Sequence, residues 1–180
     1  TFPTDIAGDG GGALYISDNH RILKVESGLA THLIGNRTSW ACEATGDGGL
    51  ASEANACPLD LDLGRDGSIY FADFDGYIRR ILPSGYVRAF VGGAGQSCTS
   101  QAYEAGACGT DGTPALQARL SWDVDDPRVL PDGRVVIHNR DVFDFNYGLQ
   151  TVEADLPDFT ADELVVPSED GGRIFVFNSR

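Results

Sequence analysis

The segments GALYISDNHRILKV (12–25) and GSIYFADFDGYIRRI (67–81) are two copies of one pattern. Each runs Gly, a small residue, apolar, Tyr, apolar, small, Asp, a short turn, then alternating apolar and basic residues. GRVVIHNRDVFDF (133–145) and GRIFVFNSR (172–180) continue the series more loosely. Repetition constrains the fold strongly, because a lone unit leaves an apolar face that only a neighbouring unit can cover. The anchor glycines Gly12, Gly67, Gly133 and Gly172 stand 55, 66 and 39 residues apart. The shortest spacing is close to the roughly 40-residue period of a four-stranded propeller blade. The two longer spacings therefore carry inserts of about 16 and 27 residues, and these hold all four cysteines.

Within the second unit, period-2 alternation and turn chemistry predict four strands: PLDLDL, SIYFAD, YIRRIL and YVRAFV. Their turns fall at Arg65-Asp66-Gly67, Phe74-Asp75-Gly76 and Pro83-Ser84-Gly85. Four antiparallel strands per repeat is the anatomy of a β-propeller blade, so the expected fold is all-β. The same residues carry a family resemblance. Pro3 to Ile34 and Pro58 to Val91 resemble the NHL repeat, with its strand-ending Tyr-apolar-small-Asp and the apolar-basic strand that follows. The resemblance implies an NHL-like propeller segment of about three and a half blades spanning residues 1–180. Blade 1 is expected at about 3–35, an insert at 36–57, blade 2 at about 58–92, an insert at 93–120, blade 3 at about 121–156 and a partial blade 4 at about 161–180. Counted this way the strands do not close a ring.

GDGGLASEANA (46–56) and GTDGTPALQARL (109–120) resemble the segments that join blades in extracellular NHL propellers. There they lead from the outermost strand of one blade to the innermost strand of the next. Ala51, Ala54 and Ala56, and Pro114, Ala115 and Ala118, are spaced for about one helical turn with a small face against the sheets. A single turn is marginal by itself, which gives a bracing disulfide a purpose. Cys42, Cys57, Cys98 and Cys108 lie in Gly/Ser/Ala-rich loops without CxxC spacing, so they read as disulfides of an oxidising compartment rather than zinc ligands. Of the three pairings that four cysteines allow, the local one is expected: Cys42–Cys57 and Cys98–Cys108. Asn36-Arg37-Thr38 is a glycosylation sequon. The sequence has no Met, hence no initiator, and no signal-like start, so the chain reads as a processed product or a piece of a longer one.

Formal charge is −14, from 13 basic and 27 acidic residues. With Arg79-Arg80 the longest basic run, such a surface repels phosphate backbones and no nucleic-acid partner is expected. No apolar run reaches the roughly 18 residues of a membrane span.

Several residues invite sharper readings. In DLGRDGSIYFAD (62–73), Asp62, Asp66, Gly67, Ile69 and Asp73 fall at calcium-loop positions 1, 5, 6, 8 and 12. Gly64 stands where a ligand is needed, and a hairpin turn explains the same residues. Asp18 and Asp73 end the second strands, but their counterparts are Asn139 and Asn178, which cannot act as general bases; they read as turn-forming residues. The innermost strands carry Asp5, Asp60, Asp62, Asp123, Asp125 and Glu163. Asp60 with Asp62, and Asp123 with Asp125, share a face and could line a central channel, where Ca²⁺ is the ion they would take. His20, His32 and His138 show no triad spacing. Trp40 and Trp122, near the inserts, read as core.

The expected function is a non-catalytic, secreted or extracellular binding or assembly module, without cofactor, meeting a protein partner or itself through propeller edges and the insert face. Two alternatives stand beside it: a structural subunit of an extracellular filament or surface appendage, and a propeller hydrolase or lyase with a channel metal.

Overall fold

A computed structural model describes residues 3–18, 20–35, 44–74, 76–92, 114–121, 124–140, 147–152, 163–167 and 174–178. Its regular structure is antiparallel sheet. β1 (Pro3–Gly8), β2 (Leu14–Asp18), β3 (Ile22–Glu26) and β4 (Leu29–Ile34) form one sheet in sequential order. β5 (Pro58–Leu63), β6 (Ile69–Asp73), β7 (Tyr77–Ile81) and β8 (Val87–Val91) form a second. β9 (Val124–Val129), β10 (Val135–Arg140) and β11 (Tyr147–Val152) form a third, three-stranded among the described residues, and β12 (Glu163–Pro167) pairs with β13 (Ile174–Asn178). Unit three is expected to hold four strands over about 121–156, of which residues 122–123, 141–146 and 153–156 lie outside the described residues.

The alternation that predicted the strands decides their packing. In the second sheet Leu61, Ile69, Phe71, Ile81 and Val87 face the first sheet, where Ile22 and Ile34 meet them. Tyr70, Ala72, Ile78 and Val91 face the third, against Val124, Val135 and Ile137. The second sheet thus has an upstream and a downstream apolar face, and the two core clusters of the described residues are the seams it makes with its neighbours. Burial of roughly 1.5–3 kcal/mol per large apolar side chain makes these seams the main source of cohesion.

The first insert closes the first seam. Ala51–Glu53 is a single 3₁₀ turn, and Ala51, Ala54 and Ala56 are all buried in the seam cluster. Its backbone is also stitched into the second sheet: Gly48 N–H donates to Val87 O (2.8 Å), Val87 N–H to Gly49 O (3.0 Å) and Ala51 N–H to Gly85 O (2.8 Å). On the other side Gly35 N–H reaches Ala54 O (3.1 Å). The second insert repeats the device, with a 3₁₀ turn at Ala115–Gln117, Ala115 and Ala118 against the second seam, and Gly92 N–H on Ala115 O (2.9 Å).

Gly46 and Gly48 separate two costs of substitution. Both have φ of +85°, but a Cβ on Gly46 would stand 2.7 Å from Ala54 Cβ while one on Gly48 would meet nothing within 4 Å. Gly48→Ala should cost only the left-handed backbone strain, about 1–2 kcal/mol. Gly46→Ala should lose about 1–3 kcal/mol more from overpacking of the insert against itself, read as the difference in urea midpoint between the two variants.

Candidate functional site

Two polar arrangements sit among the sheets: a buried arginine under the first insert, and a row of carboxylates along the innermost strands. Arg79 belongs to a strand whose sequence alternates apolar and basic residues, a pattern that leaves it looking solvent-facing. The register places it opposite Phe71, on the face that packs toward the first sheet, and it is fully buried. Its guanidinium has five N–H groups, and all five are used. Nε donates to Asp47 Oδ1 (3.1 Å), Nη1 to Asn55 O (2.7 Å) and Asp73 Oδ2 (3.2 Å), and Nη2 to Thr45 O (2.9 Å) and Asp47 Oδ1 (2.9 Å). Three of the four partners belong to the insert. A buried charge is tolerable only when paired and fully hydrogen-bonded, and this one is both. Sequence reasoning missed it, because its three insert partners lie 24 to 34 residues away.

Asp73 corrects an expectation. It does not only shape its own turn: its carboxylate is buried, accepts the Cys57 N–H at Oδ1 (3.0 Å) and pairs with Arg79 through Oδ2. It therefore fixes where the insert ends and β5 begins. Asp18 does behave as a turn residue, its carboxylate holding Arg21 (2.8 Å). In unit three the position of Asp73 is Asn139, whose Oδ1 accepts Ser121 N–H (2.9 Å), and the register partner of Ile137 is Gln150, where Phe71 has Arg79. Asn139 Nδ2 lies 3.5 Å from Gln150 Oε1. The charged pair of unit two has become an amide pair in unit three, both partners changing together.

The inner-strand carboxylates bridge the seams. Asp5 Oδ2 accepts Leu61 N–H of the next sheet (3.0 Å), Asp60 Oδ2 accepts Asp126 N–H (3.4 Å) and Asp62 Oδ2 accepts Val129 N–H (2.7 Å). Asp60 and Asp62 share a face, as their spacing requires, and that face meets the β9 backbone. Asp125 is held instead by a histidine: its Oδ1 lies 2.7 Å from His138 Nδ1, across a β9–β10 pair in which the two residues are register partners. Asp123 lies outside the described residues. Burial is the largest influence on Asp60 and raises its pKa above the ordinary 3.8; the charges of Asp5, Asp125 and Asp126 push the same way, against the Asp126 N–H. A raised folded-state value means that the contribution of Asp60 to stability is most favourable below the ordinary value and is lost as pH climbs through the folded one.

The residues of the calcium-like loop are dispersed in the same manner. Asp62 serves Leu63 and Val129, Asp66 serves Ser68 and Arg80, and Asp73 serves Cys57 and Arg79. Among the described residues no group of three or more His, Cys, Asp or Glu is placed to hold a metal ion. Cys57 is buried and disulfide-bonded, with its Sγ 3.4 Å from His20 Nδ1. Cys42, Cys98, Cys108, Asn36, Trp40 and Trp122 lie outside the described residues. Among the described residues no helix is long and apolar enough to cross a membrane.

Blade-like sheets, seams lined alternately by two faces, and an insert crossing from β4 to β5 together set what a relative must share. Residues 31–105 match the family model of the teneurin NHL domain, from β4 through the first insert and the whole second sheet into the second insert. Residues 31–105 are NHL-repeat sequence. The sheets on either side form part of an NHL-like β-propeller. No curated protein matches the chain.

The central arginine yields a direct test. Arg79→Met leaves Asp73 buried without its charge partner and should cost about 3–5 kcal/mol. The double variant Asp73→Asn/Arg79→Gln, which writes the unit-three pair into unit two, should cost less than the sum of Asp73→Asn and Arg79→Gln, by about 0.5–3 kcal/mol. Urea unfolding of the four variants and the unsubstituted chain checks both figures; additive losses would refute the pairing.

Proposed function

We propose that this chain is a non-catalytic extracellular binding and assembly module built on an NHL-type propeller. The observation that carries the reading is the match of residues 31–105 to the teneurin NHL domain. The carboxylates most suited to a channel metal support it in a second way, since Asp60 and Asp62 meet backbone N–H groups of the neighbouring sheet and Asp125 meets His138. A strongly acidic surface favours protein partners over nucleic acid. The partner is another protein or a further copy of the chain, met at sheet faces and edges and at the insert. An extracellular setting fits the four cysteines and the sequon at Asn36. We assign the disulfides as Cys42–Cys57 and Cys98–Cys108, each bracing one insert, a constraint worth up to roughly 3 kcal/mol apiece for loops of this size.

Expression through a eukaryotic secretory pathway tests this. The secreted product should carry a glycosidase-sensitive glycan on Asn36, give 42–57 and 98–108 linked peptides on non-reducing digestion, and melt cooperatively. A 42–98 or 57–108 linkage, or a chain equally stable after full reduction, would contradict the assignment.

A further inference from the structure

We propose that the outer edge of the second sheet binds an acidic segment of a protein partner, taking its carboxylates on an arginine pair, Arg80 and Arg88. The proposal rests on the binding reading above and names the chemistry of the partner.

Tyr70, Arg80 and Arg88 are register partners across β6, β7 and β8, so their side chains share the downstream face of that sheet. Like charges directly opposite each other on a sheet repel. In a chain of net charge −14, acidic side chains to offset such a pair are plentiful, yet the offset is incomplete. Arg80 lies over the Tyr70 ring, 5.1 Å from its centroid, and its Nη2 donates to Asp66 Oδ2 (2.5 Å). Its Nε–H is buried without an acceptor among the described residues. Arg88 is exposed and makes no hydrogen bond or ion pair among the described residues. Arg79, the neighbour of Arg80 in sequence, is the contrast, with all five N–H groups satisfied. The pair therefore holds positive charge and donors in excess of acceptors. A carboxylate is the group that a planar guanidinium fork matches best.

The internal repeat shows that this corner stays open beside a neighbouring sheet. By register, Tyr15, Lys24 and Thr31 are the first-sheet equivalents of Tyr70, Arg80 and Arg88. There the following sheet is in place and Tyr15 packs into the seam, yet Thr31 is exposed. Lys24 is paired with Glu26 (2.9 Å), and Thr31 supplies no second cation. In the third sheet the equivalents of Tyr70 and Arg80 are Val136 and Thr151, both uncharged. The arginine pair is thus particular to the second sheet among these three.

The flanks select the partner. Tyr86 and Phe90, two residues to either side of Arg88, share its face. Tyr86 is 44% exposed, and Leu50, bridged to it from the first insert, is 41% exposed. Carboxylates set among apolar side chains, as in an acidic peptide, fit such a surface. A sulfated sugar chain offers the anion but no apolar side chains for Tyr86 and Leu50.

Fluorescence anisotropy with two short labelled peptides tests the proposal, one repeating Glu-Leu-Gly and one repeating Gln-Leu-Gly. At about 0.15 M salt, charges more than about 8 Å from the site are largely screened, so the net charge of the chain does not mask it. The 180-residue chain should bind the Glu peptide more than about tenfold more tightly than the Gln peptide. Arg88→Gln, confirmed as folded by circular dichroism, should weaken binding of the Glu peptide by more than about tenfold. Arg134→Gln, on a hairpin of the third sheet where Arg134 pairs with Asp132, should leave it unchanged. Equal affinity for the two peptides, binding of neither, full binding by Arg88→Gln, or binding of a heparin fragment in place of the Glu peptide would each overturn the proposal. A chain that binds neither peptide but carries the expected glycan and disulfides leaves the functional reading standing, so the two fail separately.

Discussion

The first insert is held down by one fully buried guanidinium. Arg79 donates all five of its N–H groups, to Thr45 O, Asp47, Asn55 O and Asp73, and so joins the insert, β6 and β7 at a single point. An ion pair stripped of water gives back its desolvation cost only when every donor is satisfied. Here that condition makes the position of the insert a requirement of the fold rather than an accessory to it. With the insert in place, Ala51, Ala54 and Ala56 fill the end of the first seam and Asp73 sets the entry of β5. The apolar contacts supply most of the cohesion; the arginine specifies which segment lies over them.

Carboxylates of the innermost strands complete the arrangement. Asp5, Asp60 and Asp62 each accept a backbone N–H from the next sheet, so successive innermost strands are tied without direct strand pairing between sheets. Unit three departs from this in a consistent way. Asn139 and Gln150 replace an ion pair, and Asp125 turns to His138 on its own sheet. The repeat thus conserves geometry while exchanging the chemistry that enforces it.

Much of this was legible in the residues. The spaced glycines and the Tyr-apolar-small-Asp runs located the strands of the first two sheets, and the alanine spacing located both 3₁₀ turns. The burial of Arg79 was not legible, because a basic residue in an alternating strand looks the same whether its face meets solvent or an insert folded back over it. The one available signal was the joint change of Asp73 and Arg79 to Asn139 and Gln150. The direction of Asp60 and Asp62 was only half legible: spacing of two fixes a common face but not what that face meets, and the irregular register between Pro58 and Leu61 reorients the strand. His138 looked isolated because its partner, Asp125, is set by a shifted register between β9 and β10, beside the left-handed Asp126 at φ 52°.

The central claim is that Arg79 positions the insert through its full set of hydrogen bonds and not through charge alone. Arg79→Lys keeps the charge but cannot form the planar five-donor fork. Native-state hydrogen exchange of the two proteins separates local from global effects. The account predicts that Gly48, Ala51 and Ala54 amides lose protection by more than about tenfold relative to Ile69 and Ile81 in the variant, as the insert opens while the sheet persists. Equal loss at all these amides, or none, would contradict it.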